Sequence, residues 1–207
     1  MPTRIKICGI TRSEDAVVAA AAGADAIGFV FYRDSPRYIE PRRANEIAAG
    51  IPPFVSTVGL FVDAAPAAIE ACMRELRIDY LQFHGNESAS FCSQFGVPFL
   101  KAIRVRPGQD LLQYAANFSS ARALLLDAFV DGVPGGTGQG FDWTLIPRNL
   151  PLPIVLSGGL SPDNIREAVR SVNPWAVDVS SGVEVAKGIK DADKITRFIR
   201  GVRNADV

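Results

Sequence analysis

Short apolar runs alternate with longer stretches of mixed polarity along the whole chain. Arg4–Cys8, Ala26–Phe31, Ser56–Phe61, Tyr80–Phe83, Phe99–Ile103, Ala123–Leu126, Ile154–Leu156 and Ala176–Val179 read as strands. Several are continuous in apolar residues, the pattern of a parallel strand covered on both faces. Helix-like segments lie between them. Thr11–Glu14 reads as a capping box, in which Thr11 and Glu14 satisfy the first free N–H groups of a helix that runs through Ala22 and stops at Gly23. Pro41 stands in the first turn of a helix reaching about Ala49, and Pro66 starts one extending to Leu76. Further helices are expected near Glu87–Phe95, Asp110–Ala116, Asn164–Ser171 and Asp191–Val202, with a short helical stretch from Asp142.

Eight strand–helix alternations with no break in composition imply one domain over residues 1–207, built on a parallel sheet. Eight units select an α/β fold of the closed (β/α)₈ TIM-barrel type over an open doubly wound sheet. The first βα turn also lacks the GxGxxG fingerprint of a dinucleotide site.

Composition narrows the partners. Lys plus Arg equals Asp plus Glu at 22 each, so no global basic field favours nucleic acid or an anionic membrane surface. Any anion must be held by local charge. No apolar run approaches the length of a membrane span, and MPTRIKICGIT enters a strand with no signal-peptide pattern. Three widely spaced cysteines point to reduced thiols and a cytoplasmic setting. Cys72 and Cys92, among apolar neighbours in helix-like segments, read as buried filler. No His/Cys/Asp cluster has metal-ligand spacing, so no metal is expected.

The candidate chemistry lies at strand ends, where such barrels gather it. Ile154–Leu156 stops at Ser157-Gly158-Gly159, and Ala176–Val179 stops at Ser180-Ser181-Gly182. Backbone N–H groups in such loops approach an anion closely, and two of them after the last two strands form a phosphate site. Either loop alone reads equally well as a tight turn. Gly132–Gly140 is the most glycine-dense stretch and reads as a mobile loop over the site.

Cys8 and Asp127 end strands that stand across the barrel mouth. A thiolate is a useful base when its pKa falls towards neutrality. A carboxyl is a useful acid when burial or a nearby negative charge raises its pKa. A buried small residue at Cys8 and a strand-end cap at Asp127 are the plainer alternatives. Arg37, stiffened by Pro36, offers a guanidinium for a carboxylate or is a solvated surface residue. Arg104 also stands at a strand end, and His84, the only histidine, takes no proton-transfer role in this reading.

At these residues the chain resembles the phosphoribosylanthranilate isomerase family over essentially its whole length. The motifs are Lys6–Thr11, Ser35–Arg37, Gln82–Gly85, Leu126-Asp127, Gly135–Gly138 with Phe141–Trp143, Leu156–Leu160 and Asp178–Glu184. Phe83 stands where leucine is commoner, and Val185–Gly188 lacks the usual proline. The resemblance implies an Amadori rearrangement without a cofactor, in tryptophan biosynthesis. It makes Asp127 the general acid that opens the ribose ring and Cys8 the general base at C2. Arg37 would pair with the anthranilate carboxylate, Asp178 would orient the ribose hydroxyls, and His84 would bind substrate. Gly138, Ser157, Gly158, Gly159, Ser180, Ser181 and Gly182 would hold the phosphate. The implied partner is a small phosphorylated substrate, with the chain a monomer or homodimer. Two other readings stand beside this one. A related phosphoribosyl isomerase, lyase or synthase barrel would, for lyase chemistry, need a strand-end lysine, for which Lys6 is a poor candidate. A non-catalytic phosphosugar-binding barrel would bind without turnover.

Overall fold

The computed structural model describes residues 1–128 and 142–205. Eight strands, β1 (Arg4–Cys8), β2 (Ala26–Val30), β3 (Ser56–Phe61), β4 (Tyr80–Phe83), β5 (Phe99–Val105), β6 (Ala123–Ala128), β7 (Ile154–Leu156) and β8 (Ala176–Val179), form a closed barrel in sequence order. β8 returns to pair in parallel with β1, so no strand edge is left open. Around it lie α1 (Ser13–Ala22), α2 (Pro41–Ala48), α3 (Pro66–Glu75), α4 (Ala89–Ser93), α5 (Leu111–Asn117), α6 (Ile165–Val172) and α7 (Ala192–Arg203). Between β6 and β7 the described residues include a 3₁₀ turn, Trp143–Leu145, capped by Asp142.

The two-residue period of a strand sorts its side chains. Ile5, Ile7, Ile27, Phe29, Leu124 and Val177 join a buried cluster with Ile47 of α2, Ile69 of α3 and Ile195 and Phe198 of α7. The intervening residues Ala102, Ala123, Leu125, Val155 and Ala176 form a separate small cluster, the plug inside the barrel. Two residues further along those strands stand Arg104, Asp127, Ser157 and Asp178. The alternation thus fills the barrel below and brings polar groups to its C-terminal mouth.

Several expectations need correction. The capping box does not form: α1 begins at Ser13, its N-cap is Arg12, and no side chain caps it. Thr11 instead donates its hydroxyl to the Gly188 carbonyl, while Arg12 pairs with Asp15. Thr11 is drawn away by a hairpin, β9 (Glu184–Ala186) with β10 (Ile189–Lys190), that the apolar pattern did not reveal. Asp127 lies inside β6, which continues to Ala128, so it is no strand-end cap. β5 likewise runs on through Arg104 to Val105. α4 is five residues long, and Phe83 packs on Phe91, Phe95 and Phe99 beside it. The larger ring at position 83 therefore belongs to an aromatic cluster that anchors this short helix. No helix among the described residues is long and apolar enough to cross a membrane.

Candidate functional site

A cavity opens at the C-terminal mouth, lined by Cys8 of β1, Arg37 after β2, Gln82 and His84 at β4, Asp127 of β6 and Asp178 of β8. Ser157, Gly158 and Gly159 after β7, with Ser180 and Ser181 after β8, line the same cavity. Residues far apart in the chain are thus brought to one place. Gly182 lies behind this wall, packed so tightly against Leu160 that a Cβ would overlap its carbonyl oxygen. Gly138 and the Gly132–Gly140 loop lie outside the described residues. Arg104 lines a neighbouring depression with His84 and Arg106 rather than this cavity.

Cys8 and Lys6 project from the same face of β1, where Cys8 stands opposite Gly28 of β2 and Lys6 opposite Ala26. A Cβ at Gly28 would stand 2.9 Å from Cys8 Sγ and 3.0 Å from Lys6 Cε, so only glycine leaves both side chains room. Lys6 Nζ donates to Asp178 Oδ1 at 2.9 Å, and both residues are buried. Burial opposes the Lys6 ammonium, but Asp178 and Cys8 outweigh it, and its pKa is raised. An amine held charged in this way is no Schiff-base nucleophile, which counts against a lysine-dependent lyase. The Cys8 thiol departs from expectation. Burial pushes its pKa up, Lys6 pulls it down, Asp178 opposes Lys6, and the net shift is upward. Cys72 and Cys92, away from the cavity, are pushed by burial to about 12 and are inert filler.

Asp127 is held from one side. The Ala128 N–H donates to Oδ1 at 2.8 Å, leaving Oδ2 turned towards His84, whose Nε2 is 3.2 Å away. That contact lacks the alignment of a hydrogen bond, since Nε2 is buried with no hydrogen-bond partner among the described residues. Gln82 Nε2 lies 3.0 Å from His84 Nδ1. With the Gln82 amide assigned as donor, His84 carries its proton on Nε2, facing the cavity. Gln82 Oε1 is buried and likewise without a partner among the described residues. Two unsatisfied polar atoms in one cavity wall are what a hydroxylated ligand can satisfy.

Gly158 has φ +82°, and a Cβ there would stand 2.5 Å from Ala128 N and 2.8 Å from Asp127 Oδ1. The β7 loop therefore presses directly on the backbone that holds Asp127. Arg37 is only 7% exposed and is not a solvated surface residue. Its Nε and Nη2 donate to Glu184 Oε1 and Oε2, each at 2.8 Å. Lys190 Nζ reaches Glu184 Oε1 at 2.8 Å and the Ser180 hydroxyl at 3.3 Å. Burial opposes the Glu184 carboxylate, but Arg37 and Lys190 outweigh it and lower its pKa. Reasoning from sequence gave no role to Gln82, Glu184 or Lys190 and dismissed Lys6. Their residue types hint at function only once partners distant in the chain are known. Among the described residues, no group of three or more His, Cys, Asp or Glu side chains is placed to hold a metal ion.

Comparisons agree on one family. The profile described as N-(5'phosphoribosyl)anthranilate (PRA) isomerase matches residues 5–201. N-(5'-phosphoribosyl)anthranilate isomerase of Dechloromonas aromatica (strain RCB) is 61% identical over 206 residues, covering 100% of this chain and 99% of its own. Among solved structures, a phosphoribosyl anthranilate isomerase in complex with reduced 1-(o-carboxyphenylamino)-1-deoxyribulose 5-phosphate superposes with TM-score 0.87 at 41% identity, covering 98% of this chain and 99% of that one. Monomers generated from the dimeric enzyme of Thermotoga maritima superpose with TM-score 0.87 at 39% identity, with the same coverage.

Proposed function

The chain belongs to the N-(5'-phosphoribosyl)anthranilate isomerase family, and from that premise we propose how its barrel mouth divides the work. The enzyme converts N-(5-phosphoribosyl)anthranilate into 1-(2-carboxyphenylamino)-1-deoxyribulose 5-phosphate, a step of tryptophan biosynthesis. The Asp127 carboxyl gives its proton to the ribose ring oxygen. The anthranilate nitrogen supplies an electron pair as the C1–O bond breaks, which leaves an iminium. The Cys8 thiolate removes the C2 proton, and that electron pair forms C1=C2 and neutralises the nitrogen. The enolamine then moves its hydroxyl proton to C1 and becomes the ketone. One proton leaves Asp127 and one arrives at Cys8, so returning a proton from Cys8 to Asp127 resets the pair.

The observation that carries this reading is that Cys8 and Asp127, from β1 and β6, line one cavity with the serine–glycine loops of β7 and β8. Those loops hold the phosphate. His84 and Asp178 meet the sugar hydroxyls, a role that the unsatisfied Nε2 of His84 supports. Arg37 takes the anthranilate carboxylate. The reaction uses no resident cofactor in this scheme. The three free cysteines favour a cytoplasmic setting, and the assembly is a monomer or homodimer.

The test is a fluorescence assay of anthranilate compounds. Cys8→Ser replaces the thiol with a hydroxyl too weakly acidic to serve, and Asp127→Asn removes the transferable proton. Each variant is expected to bind the reduced product analogue nearly normally and to lose about 10²–10⁴-fold in kcat. A Cys8→Ser enzyme with near-normal kcat removes the thiolate from the mechanism.

A further inference from the structure

A guanidinium has two edges that can receive a carboxylate, one formed by Nε and Nη2 and the other by Nη1 and Nη2. In Arg37 the first edge is fully engaged by Glu184 through two bonds of 2.8 Å. The second has no partner among the described residues, although Arg37 lines the cavity. Glu184 and Lys190 do not line it and stand behind. The Arg37 stem is seated by close packing: a Cβ at Gly9 would stand 2.6 Å from Arg37 Cδ. Glu184 is fixed in turn by Lys190 Nζ on Oε1 at 2.8 Å and by Lys194 Nζ on its carbonyl at 2.8 Å.

We propose that Glu184 is a positioning residue, which grips Arg37 by its Nε–Nη2 edge and so presents the Nη1–Nη2 edge to the carboxylate of the substrate. The charges support this arrangement. Arg37 and Glu184 alone would be a neutral pair with little attraction for an anion. Lys190, also buried, restores one net positive charge to the cluster. Lys190 also bonds the Ser180 carbonyl at 3.2 Å and hydroxyl at 3.3 Å. One hairpin thereby ties the residue proposed for the carboxylate to the loop proposed for the phosphate. An arginine already held in place loses less side-chain freedom when the ligand arrives.

This inference rests on Arg37 being the carboxylate partner, and the experiment separates the two. Dissociation constants are measured for two probes: reduced 1-(o-carboxyphenylamino)-1-deoxyribulose 5-phosphate and the same compound without the ring carboxylate. The second constant divided by the first isolates recognition of the carboxylate. Arg37→Ala is expected to collapse the ratio and raise KM; a ratio kept at the wild-type value would reject Arg37 itself. Glu184→Gln, nearly the same shape without the charge, is expected to lower the ratio about tenfold through weaker binding of the first probe only. KM rises with it while kcat changes less. Glu184→Asp, which keeps the charge but withdraws it by one methylene, is expected to give an intermediate ratio. A merely structural role would weaken both probes equally. Suppose Arg37→Ala collapses the ratio while either folded variant at position 184 keeps it: the proposal is then overturned. Loss of the fold in both variants would make Glu184 a structural residue and overturn it too.

Discussion

At the scale of single residues, the informative tension is between burial and charge at Cys8. The proposed chemistry needs a thiolate, yet the low-dielectric mouth raises the thiol pKa, with Lys6 the largest opposing influence. The sign follows directly. A raised pKa means that the active form is lost as pH falls, so kcat/KM should climb with pH by about tenfold per unit until the thiol has ionised. Lys6→Met removes the cation and leaves Asp178 unpaired beside the sulfur; both changes push the pKa higher still. The rising limb of kcat/KM, and the pH dependence of Cys8 alkylation, should therefore move to higher pH in this variant. A limb that stayed in place would show that Lys6 serves only the barrel interior. Cys8 could be singled out because it ends the first strand, just before Gly9, and the cavity does include it. Lys6 was not, because its significance depends on Asp178, 172 residues away. Glu184 escaped for the same reason, lying 147 residues from Arg37.

At the scale of elements, legibility followed the source of order. Five strands, Arg4–Cys8, Ser56–Phe61, Tyr80–Phe83, Ile154–Leu156 and Ala176–Val179, occur with the bounds read from their apolar runs. Such strands are defined by burial on both faces, which composition reports directly. Helix ends set by local chemistry were also readable, as at Gly23, whose φ of 103° closes α1. The Thr11–Glu14 cap failed because a tertiary partner, the Gly188 carbonyl, took the hydroxyl. The hairpin supplying that carbonyl has strands of three and two residues, too short to show a period. The β7 loop yields a prediction at this scale. Gly158→Ala puts a methyl group onto the Ala128 N–H that fixes Asp127, in a backbone conformation unfavourable to alanine. The carboxyl must shift, and kcat should fall by about 10²-fold, the cost of a displacement near 1 Å. If Gly158→Ala raised KM alone, the loop would serve the phosphate without touching Asp127.

At the scale of the molecule, the barrel separates what holds it together from what it does. Outward-facing strand residues pack on the helices, and inward-facing residues at the C-terminal end line the cavity. β6 carries both kinds within four residues, Leu124 on the helix side and Asp127 in the mouth. This makes one strand a test of the division. Leu124 is fully buried, so Leu124→Ala should cost about 2–5 kcal/mol, from the lost transfer energy and the cavity left behind. The midpoint of urea unfolding should fall accordingly, while kcat at a temperature where the variant stays folded should remain close to wild type. Asp127→Asn should do the reverse, abolishing most turnover while moving the unfolding midpoint little, since the amide keeps the shape and an oxygen for the Ala128 N–H. The two effects should also add in the double variant, because one side chain acts through packing outside the sheet and the other through a proton inside it. A Leu124→Ala enzyme that lost kcat in proportion to its stability would mean that the outer layer sets the geometry of the mouth.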